Sequence, residues 1–161
     1  MMNLYRLLFV GFLVISGCAS VDSSMQADMP KGSIKLSANV DGSGKSCILG
    51  IKETTGWQDF ELGDTNCSND EARYFALDNV PSATQIRFDG IPCKSDRNQW
   101  SFKIKTIVQP TTTRRINLRE LQTAVLGSIV VRGVMYIENN RPGEYNDGKL
   151  SCVKVLRSAL P

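Results

Sequence analysis

From Ser33 onward, apolar and polar residues alternate with a period of two, the spacing that puts successive side chains on opposite faces of a strand. Ile34, Leu36 and Ala38 alternate with polar neighbours, and so do Cys47, Leu49 and Ile51. Trp57 to Phe60 forms a shorter run between glycines, and Tyr74–Leu77 and Gln85–Phe88 flank a turn at Pro81-Ser82. Trp100, Phe102, Ile104 and Thr106 give the cleanest alternation in the chain. Thr112 to Ile116 follows Pro110 and is rich in β-branched residues, which predicts another strand. Ile129 to Ile137 predicts a strand with a bulge at Gly133, and Leu150 to Leu156 a final strand after the turn Asn146-Asp147-Gly148. Helical signals occur once: Asn117 with Glu120 three residues on forms a capping box over LRELQTAV, ending by Gly127. Short strands at roughly ten-residue spacing predict a mostly β domain, an antiparallel sandwich or Greek-key barrel with one short helix.

Before Ser33 the pattern changes. Ala19 to Gly32, ASVDSSMQADMPKG, is small and polar and has no apolar period, so it is expected to be a flexible tether ending at Pro30 and Gly32. Ahead of it, Arg6 supplies a positive n-region and Leu7 to Ile15 a short apolar run, well below the roughly 20 residues a membrane-spanning helix needs. Ile15-Ser16-Gly17-Cys18 resembles the lipobox of bacterial lipoproteins, in which a hydrophobic residue and two small ones precede the acylated cysteine. The resemblance implies that residues 1–17 are a lipoprotein signal peptide and that Cys18 becomes the lipidated first residue. It carries a diacylglycerol thioether and an amide-linked chain, enough acyl chain for stable anchoring at ~0.8 kcal/mol per buried methylene. Ala19, where an Asp would retain such a protein at the inner membrane, implies an outer-membrane anchor on the periplasmic face of a Gram-negative envelope. The domain organisation expected is therefore 1–17 signal peptide, 18–32 lipidated tether and 33–161 a single β-domain.

Assigning Cys18 to lipid leaves Cys47, Cys67, Cys93 and Cys152, an even set suited to two disulfides in an oxidising periplasm. Three pairings are open. Cys47–Cys67 with Cys93–Cys152 is the one expected here, because the second bridge would pin the terminal strand. No C-x-x-C spacing occurs, so neither a redox pair nor a zinc ribbon is indicated. Histidine is absent, which removes Ser-His-Asp and Cys-His catalysis and most zinc sites. The net charge of +3 falls to +2 in the mature chain (18 basic against 16 acidic residues), with basic residues scattered. No nucleic-acid partner is expected, since that would need them clustered and interleaved with aromatics.

Several stretches carry residues capable of chemistry. Asn66 to Gly90, NCSNDEARYFALDNVPSATQIRFDG, resembles a βγ-crystallin-type Greek-key segment, in which an Asn/Asp pair precedes a strand and a second strand crosses back. The resemblance implies calcium ligation at Asn69 and Asp70, but Arg73 and Tyr74 stand where that motif has hydroxyls. With Asp78 or Asp89 the set supplies few of the six to eight oxygens Ca²⁺ takes. No metal and no cofactor is therefore expected. Ser151-Cys152-Val153-Lys154 has the S-x-x-K spacing of serine–lysine acylases, yet on a strand residues i and i+3 face opposite ways. Glu53, Asp59, Glu61 and Asp64 gather around Trp57 in sequence and are expected to be a solvated loop. Trp100 and Phe102 are expected in the core, whereas Trp57, beside Gly56, suits an exposed binding loop. The longest polar excursion, Asn139 to Lys149, offers Arg141 and Tyr145, residue types favoured at binding hot spots.

These features predict a non-enzymatic, lipid-anchored protein-binding module, an inhibitor or immunity protein against an envelope-targeting hydrolase. The alternative is an accessory lipoprotein of an outer-membrane or secretion assembly. Its partners are the membrane, through acylated Cys18, and a protein whose identity the sequence does not carry.

Overall fold

The computed structural model describes residues 32–97 and 99–157. Cys18 and the leader lie outside them. Ten strands form two antiparallel sheets. The four-stranded sheet has the order β2 (Ser46–Gly50), β1 (Ser33–Ser37), β4 (Tyr74–Asp78), β7 (Ile116–Asn117). The six-stranded sheet runs β3 (Trp57–Glu61), β10 (Cys152–Leu156), β5 (Gln85–Asp89), β6 (Ser101–Thr106), β9 (Val134–Asn140), β8 (Ile129–Val131). The period-two pattern explains the packing. Ile34, Leu36, Phe75 and Leu77 from the first sheet, and Ile86, Phe88, Phe102, Ile104, Val153 and Val155 from the second, are buried in one continuous core. Phe75 and Phe88 meet across the gap with ring centroids 4.6 Å apart.

The expected mostly β architecture with one short helix is present, and so are both expected disulfides. Cys47–Cys67 and Cys93–Cys152 each join Cα atoms 5.1 Å apart, inside the range a relaxed bridge spans. The helix α1, Leu118–Thr123, begins at the expected cap: Asn117 Oδ1 accepts from Arg119 N at 2.8 Å, and Glu120 Oε1 accepts from Asn117 N at 3.1 Å.

Two local expectations are corrected. Thr112–Ile116 is not a strand: Thr111 makes an isolated bridge to Val80, and only Ile116–Asn117 pairs, with β4. The threonines serve as side-chain acceptors instead, Thr113 Oγ1 for Leu77 N and Thr112 Oγ1 for Asn79 N, both at 3.0 Å. The stretch from Ile129 is a hairpin, not one bulged strand. Gly133, at φ +86°, turns the chain between β8 and β9, and a Cβ there would sit 3.0 Å from Thr111 Oγ1. Its lack of a side chain permits both the turn and the close approach.

The sandwich has two poles. Gly32 lies at one of them: its carbonyl accepts from Ile51 N at 3.0 Å, and a Cβ on it would lie 2.9 Å from Val80 Cα. The β4–β5 connection, the β6 end and the β8–β9 turn are tied to this pole through Ala83 N to Thr106 O, Val80 N to Thr111 O and Ile107 N to Gly133 O. Register places Trp57 and Leu156 there too. The opposite pole carries the β1–β2 hairpin, α1, and the loop from Arg141 to Ser151. Among the described residues, no helix is long and apolar enough to cross a membrane.

Candidate functional site

An open cleft of ≈ 560 Å³ occupies the pole opposite Gly32, lined by Asn69, Asp70, Gln99, Glu144, Asn146, Lys149 and Ser151 around Gly90, Pro92 and Trp100. Its walls are held from several directions. Asp70 adopts a left-handed conformation, φ 59°, and its N–H donates to Leu150 O at 3.2 Å. Its carboxylate accepts from Lys149 Nζ and from the Ser151 hydroxyl, each at 3.4 Å. On the floor, Trp100 is buried against Phe102 and Tyr145, with centroids 5.3 and 4.9 Å away. Gly90 makes room for it, since a Cβ at that position would come within 2.3 Å of the indole nitrogen.

The loop from Arg141 to Lys149 is braced by the helix. Gln122 Nε2 donates to Pro142 O at 2.9 Å, and Arg119 pairs with Asp147. Asp147 also accepts the Tyr145 hydroxyl at 3.0 Å. Burial, reinforced by that carboxylate, pushes the Tyr145 hydroxyl well above the ordinary tyrosine range. Tyr145 therefore anchors the loop from beneath. Arg141 stands on its surface, left-handed at φ 48°, with its guanidinium 2.9 Å from Glu144 Oε1 and about half exposed. A braced polar loop presents contacts without the ordering cost of a mobile one.

Beside the cleft, residues 90–97 fold back over the outer face of the six-stranded sheet. The Cys93–Cys152 bridge holds them, with Cys93 N donating to Glu61 Oε2 at 2.7 Å and Lys154 Nζ to Cys93 O at 2.9 Å. Asp89 is buried in this region, with Arg87 Nε donating to it at 2.7 Å. Desolvation raises the Asp89 carboxyl above its ordinary 3.8, and the Arg87 charge opposes that only in part.

The structure gathers some sequence candidates and separates others. Asn69 and Asp70 share the cleft with the Asn139–Lys149 loop, although about 70 residues lie between them in the chain. Asp78 and Asp89 are elsewhere, in different sheets, with Asp78 paired to Lys35. Among the described residues, no group of three His, Cys, Asp or Glu side chains is placed to hold a metal ion. Trp57 is 46% exposed but belongs to the Gly32 pole, a full strand length from Arg141 and Tyr145. The carboxylates around it point to separate partners: Glu53 to Arg157, Asp59 to Lys154, Glu61 to the Cys93 backbone. Ser151 and Lys154 diverge, the hydroxyl toward Asp70 and the amine toward Cys93 O and Asp59. Gln99 and Pro92 carry no signal in the sequence, and Gly90 only ends the Greek-key-like segment. They reach the cleft only because β5 and β6 pair and their connection folds over, a placement with no local signature.

No protein-family model, curated protein or solved structure matches this chain. Three amides, two carboxylates and one ammonium surround an aromatic floor. Such a set suits polar main-chain and side-chain groups of a protein partner, which need donors and acceptors at fixed positions.

Proposed function

We propose that this chain is a lipid-anchored outer-membrane lipoprotein whose periplasmic β-domain binds a protein through the pole carrying the cleft. The observation that supports this reading most is the opposition of the two poles. The tether joins the domain at Gly32, while the cleft and the braced Arg141 loop lie at the far end, free of the anchor. Within that reading the partner is an envelope-targeting hydrolase, and the protein acts as its inhibitor or immunity protein. Arg141, paired with Glu144 on a loop anchored by Tyr145, Gln122 and Asp147, offers a partner a half-exposed guanidinium beside the cleft. A second reading, an accessory subunit of an outer-membrane or secretion assembly, is favoured by a different feature. Val125, Leu126 and Ile129 are 73%, 56% and 51% exposed beside the free edge of β8.

The test is affinity capture from detergent-solubilised envelope with the acylated chain, repeated with Arg141→Ala, with Asn146→Arg and with a Val125→Asp/Leu126→Asp double variant. On the inhibitor reading the first two weaken capture of one stoichiometric hydrolase, by about thirtyfold or more at roughly 2 kcal/mol for a hot-spot side chain, and the third leaves it unchanged. Loss confined to the third variant supports the assembly reading. Hydrolysis of peptidoglycan or ester substrates by the pure protein would sink both.

A further inference from the structure

We propose that the Gly32 pole is itself a membrane-docking surface, on which the domain rests against the bilayer that holds its anchor; this rests on the lipobox reading of Cys18. The residues that would be lipid-bound and those that begin the described fold are separated by Ala19 to Gly32, 14 residues. Fully extended, they span at most about 50 Å. The chain enters the domain at Gly32, so this pole is the one joined directly to the tether and nearest its anchor.

What the pole presents fits that neighbour. Trp57, Ile107 and Val108 are 46%, 43% and 39% exposed, all at the same end of the six-stranded sheet, the Trp57 ring lying on its outer face with Lys103 Nζ 5.8 Å from the centroid. Trp57 ends the row that register draws through Leu156, Gln85 and Lys105. Ile107 and Val108 follow β6 and lie against the β8–β9 turn through Ile107 N to Gly133 O at 2.9 Å. Tryptophan and aliphatic side chains are favoured at the boundary between headgroups and acyl chains. The charges agree. Lys52, Lys105 and Arg132 stand at this end with no ion pair among the described residues, whereas its acids are already matched, Glu53 by Arg157 and Asp78 by Lys35. The pole therefore offers net positive charge to anionic phospholipid. Three apolar side chains and three cations bind a bilayer weakly on their own. Tethering makes docking intramolecular, at an effective concentration on the order of millimolar, so a weak surface suffices. Docked this way, the domain turns its cleft and Arg141 loop away from the bilayer.

The two tryptophans make the proposal measurable, because Trp57 is exposed and Trp100 is buried at the other end. The full chain, expressed in a Gram-negative host, is reconstituted into phosphatidylethanolamine–phosphatidylglycerol vesicles with and without brominated acyl chains. Mass spectrometry of the same sample counts acyl groups on Cys18. Docking predicts loss of Trp57 emission to the bromine quencher, with Trp100 emission retained and Trp57→Phe assigning the two. Ile107→Asp/Val108→Asp should abolish the quenching while the protein stays on the vesicles through its lipid. Val40→Asp, on the exposed β1–β2 hairpin at the opposite pole, should not. A Cys18→Ser chain should give weak quenching that high salt removes. Unquenched Trp57 in the acylated, vesicle-bound protein overturns the docking surface and leaves the anchor intact. Quenching without acyl groups overturns the lipobox and leaves the docking surface.

Discussion

Tyr136 and Tyr145 show how one side chain's surroundings set the sign of its contribution. Both rings lie in the core beside Phe102, and burial pushes both hydroxyls above the ordinary tyrosine range. Tyr145 has Asp147 as acceptor, whereas the buried Tyr136 hydroxyl has no hydrogen-bond partner among the described residues. An unmatched buried hydroxyl costs free energy that a matched one does not. Chemical denaturation should therefore find Tyr136→Phe more stable than the parent and Tyr145→Phe less stable, each by about 1 kcal/mol. Asp89 has a comparable imbalance, expressed as pH dependence. Its carboxyl is raised in the folded state, mainly by desolvation, so the folded protein holds that proton more tightly than the unfolded chain. Its contribution to stability is complete below the ordinary 3.8 and is lost as pH rises through the raised folded value. Unfolding curves across the acidic range should show the stability of Asp89→Asn gaining on that of the parent as pH increases through that window. A constant difference between them would contradict the assignment.

At the scale of elements, the two disulfides hold different things. Cys47–Cys67 closes a loop of sequence separation 20 between β2 and the segment before β4. Cys93–Cys152 closes one of separation 59 and fixes both the terminal strand and the segment over Asp89. The loops do not overlap in sequence, so their unfolded-state constraints are independent. Loop-closure entropy makes the longer one more stabilising by about 1 kcal/mol, within a usual range of roughly 2–4 kcal/mol per bridge. Paired Cys→Ala variants should reproduce that order in denaturant midpoints. Removing Cys93–Cys152 should also expose the residue 90–97 segment to limited proteolysis, an effect absent from the Cys47–Cys67 variant. The number of disulfides and the helix cap were legible in the sequence, because an even set of cysteines and an Asn-x-x-Glu spacing are read without the fold, whereas the pairing was one choice among three until the structure brought Cys47 to Cys67 and Cys93 to Cys152. The β8–β9 hairpin was not. Gly133 sits in an apolar run where a bulge and a two-residue turn look alike, and contact with Thr111, 22 residues away, separates them.

At the scale of the molecule, the apolar faces of two sheets meet and leave two ends with different chemistry. The proposed anchor belongs to one end and the proposed recognition surface to the other, so processing and binding can be tested separately. If Ile15–Cys18 is a lipobox, globomycin, which blocks lipoprotein signal peptidase, should accumulate the uncleaved chain in vivo. Unchanged processing would refute the lipobox without touching the fold or the cleft. Binding variants at Arg141 or Asn146 should be processed normally, since no described contact links them to the Gly32 pole.

The sequence by itself determined the mostly β class, the capped helix, the cysteine set and the absence of histidine chemistry, because each depends on short-range pattern or composition. Periodicity of two says which residues face inward, but not which strand lies beside which. Only the tertiary structure decided that β10 inserts between β3 and β5, and that Asn69-Asp70 meets the Arg141–Ser151 loop in a cleft. It also put Tyr145 beneath that loop as an anchor and sent Trp57 to the opposite pole from Arg141. Those placements follow from long-range pairing and from burial of one shared core, and backbone hydrogen bonds between distant strands leave no mark in local spacing.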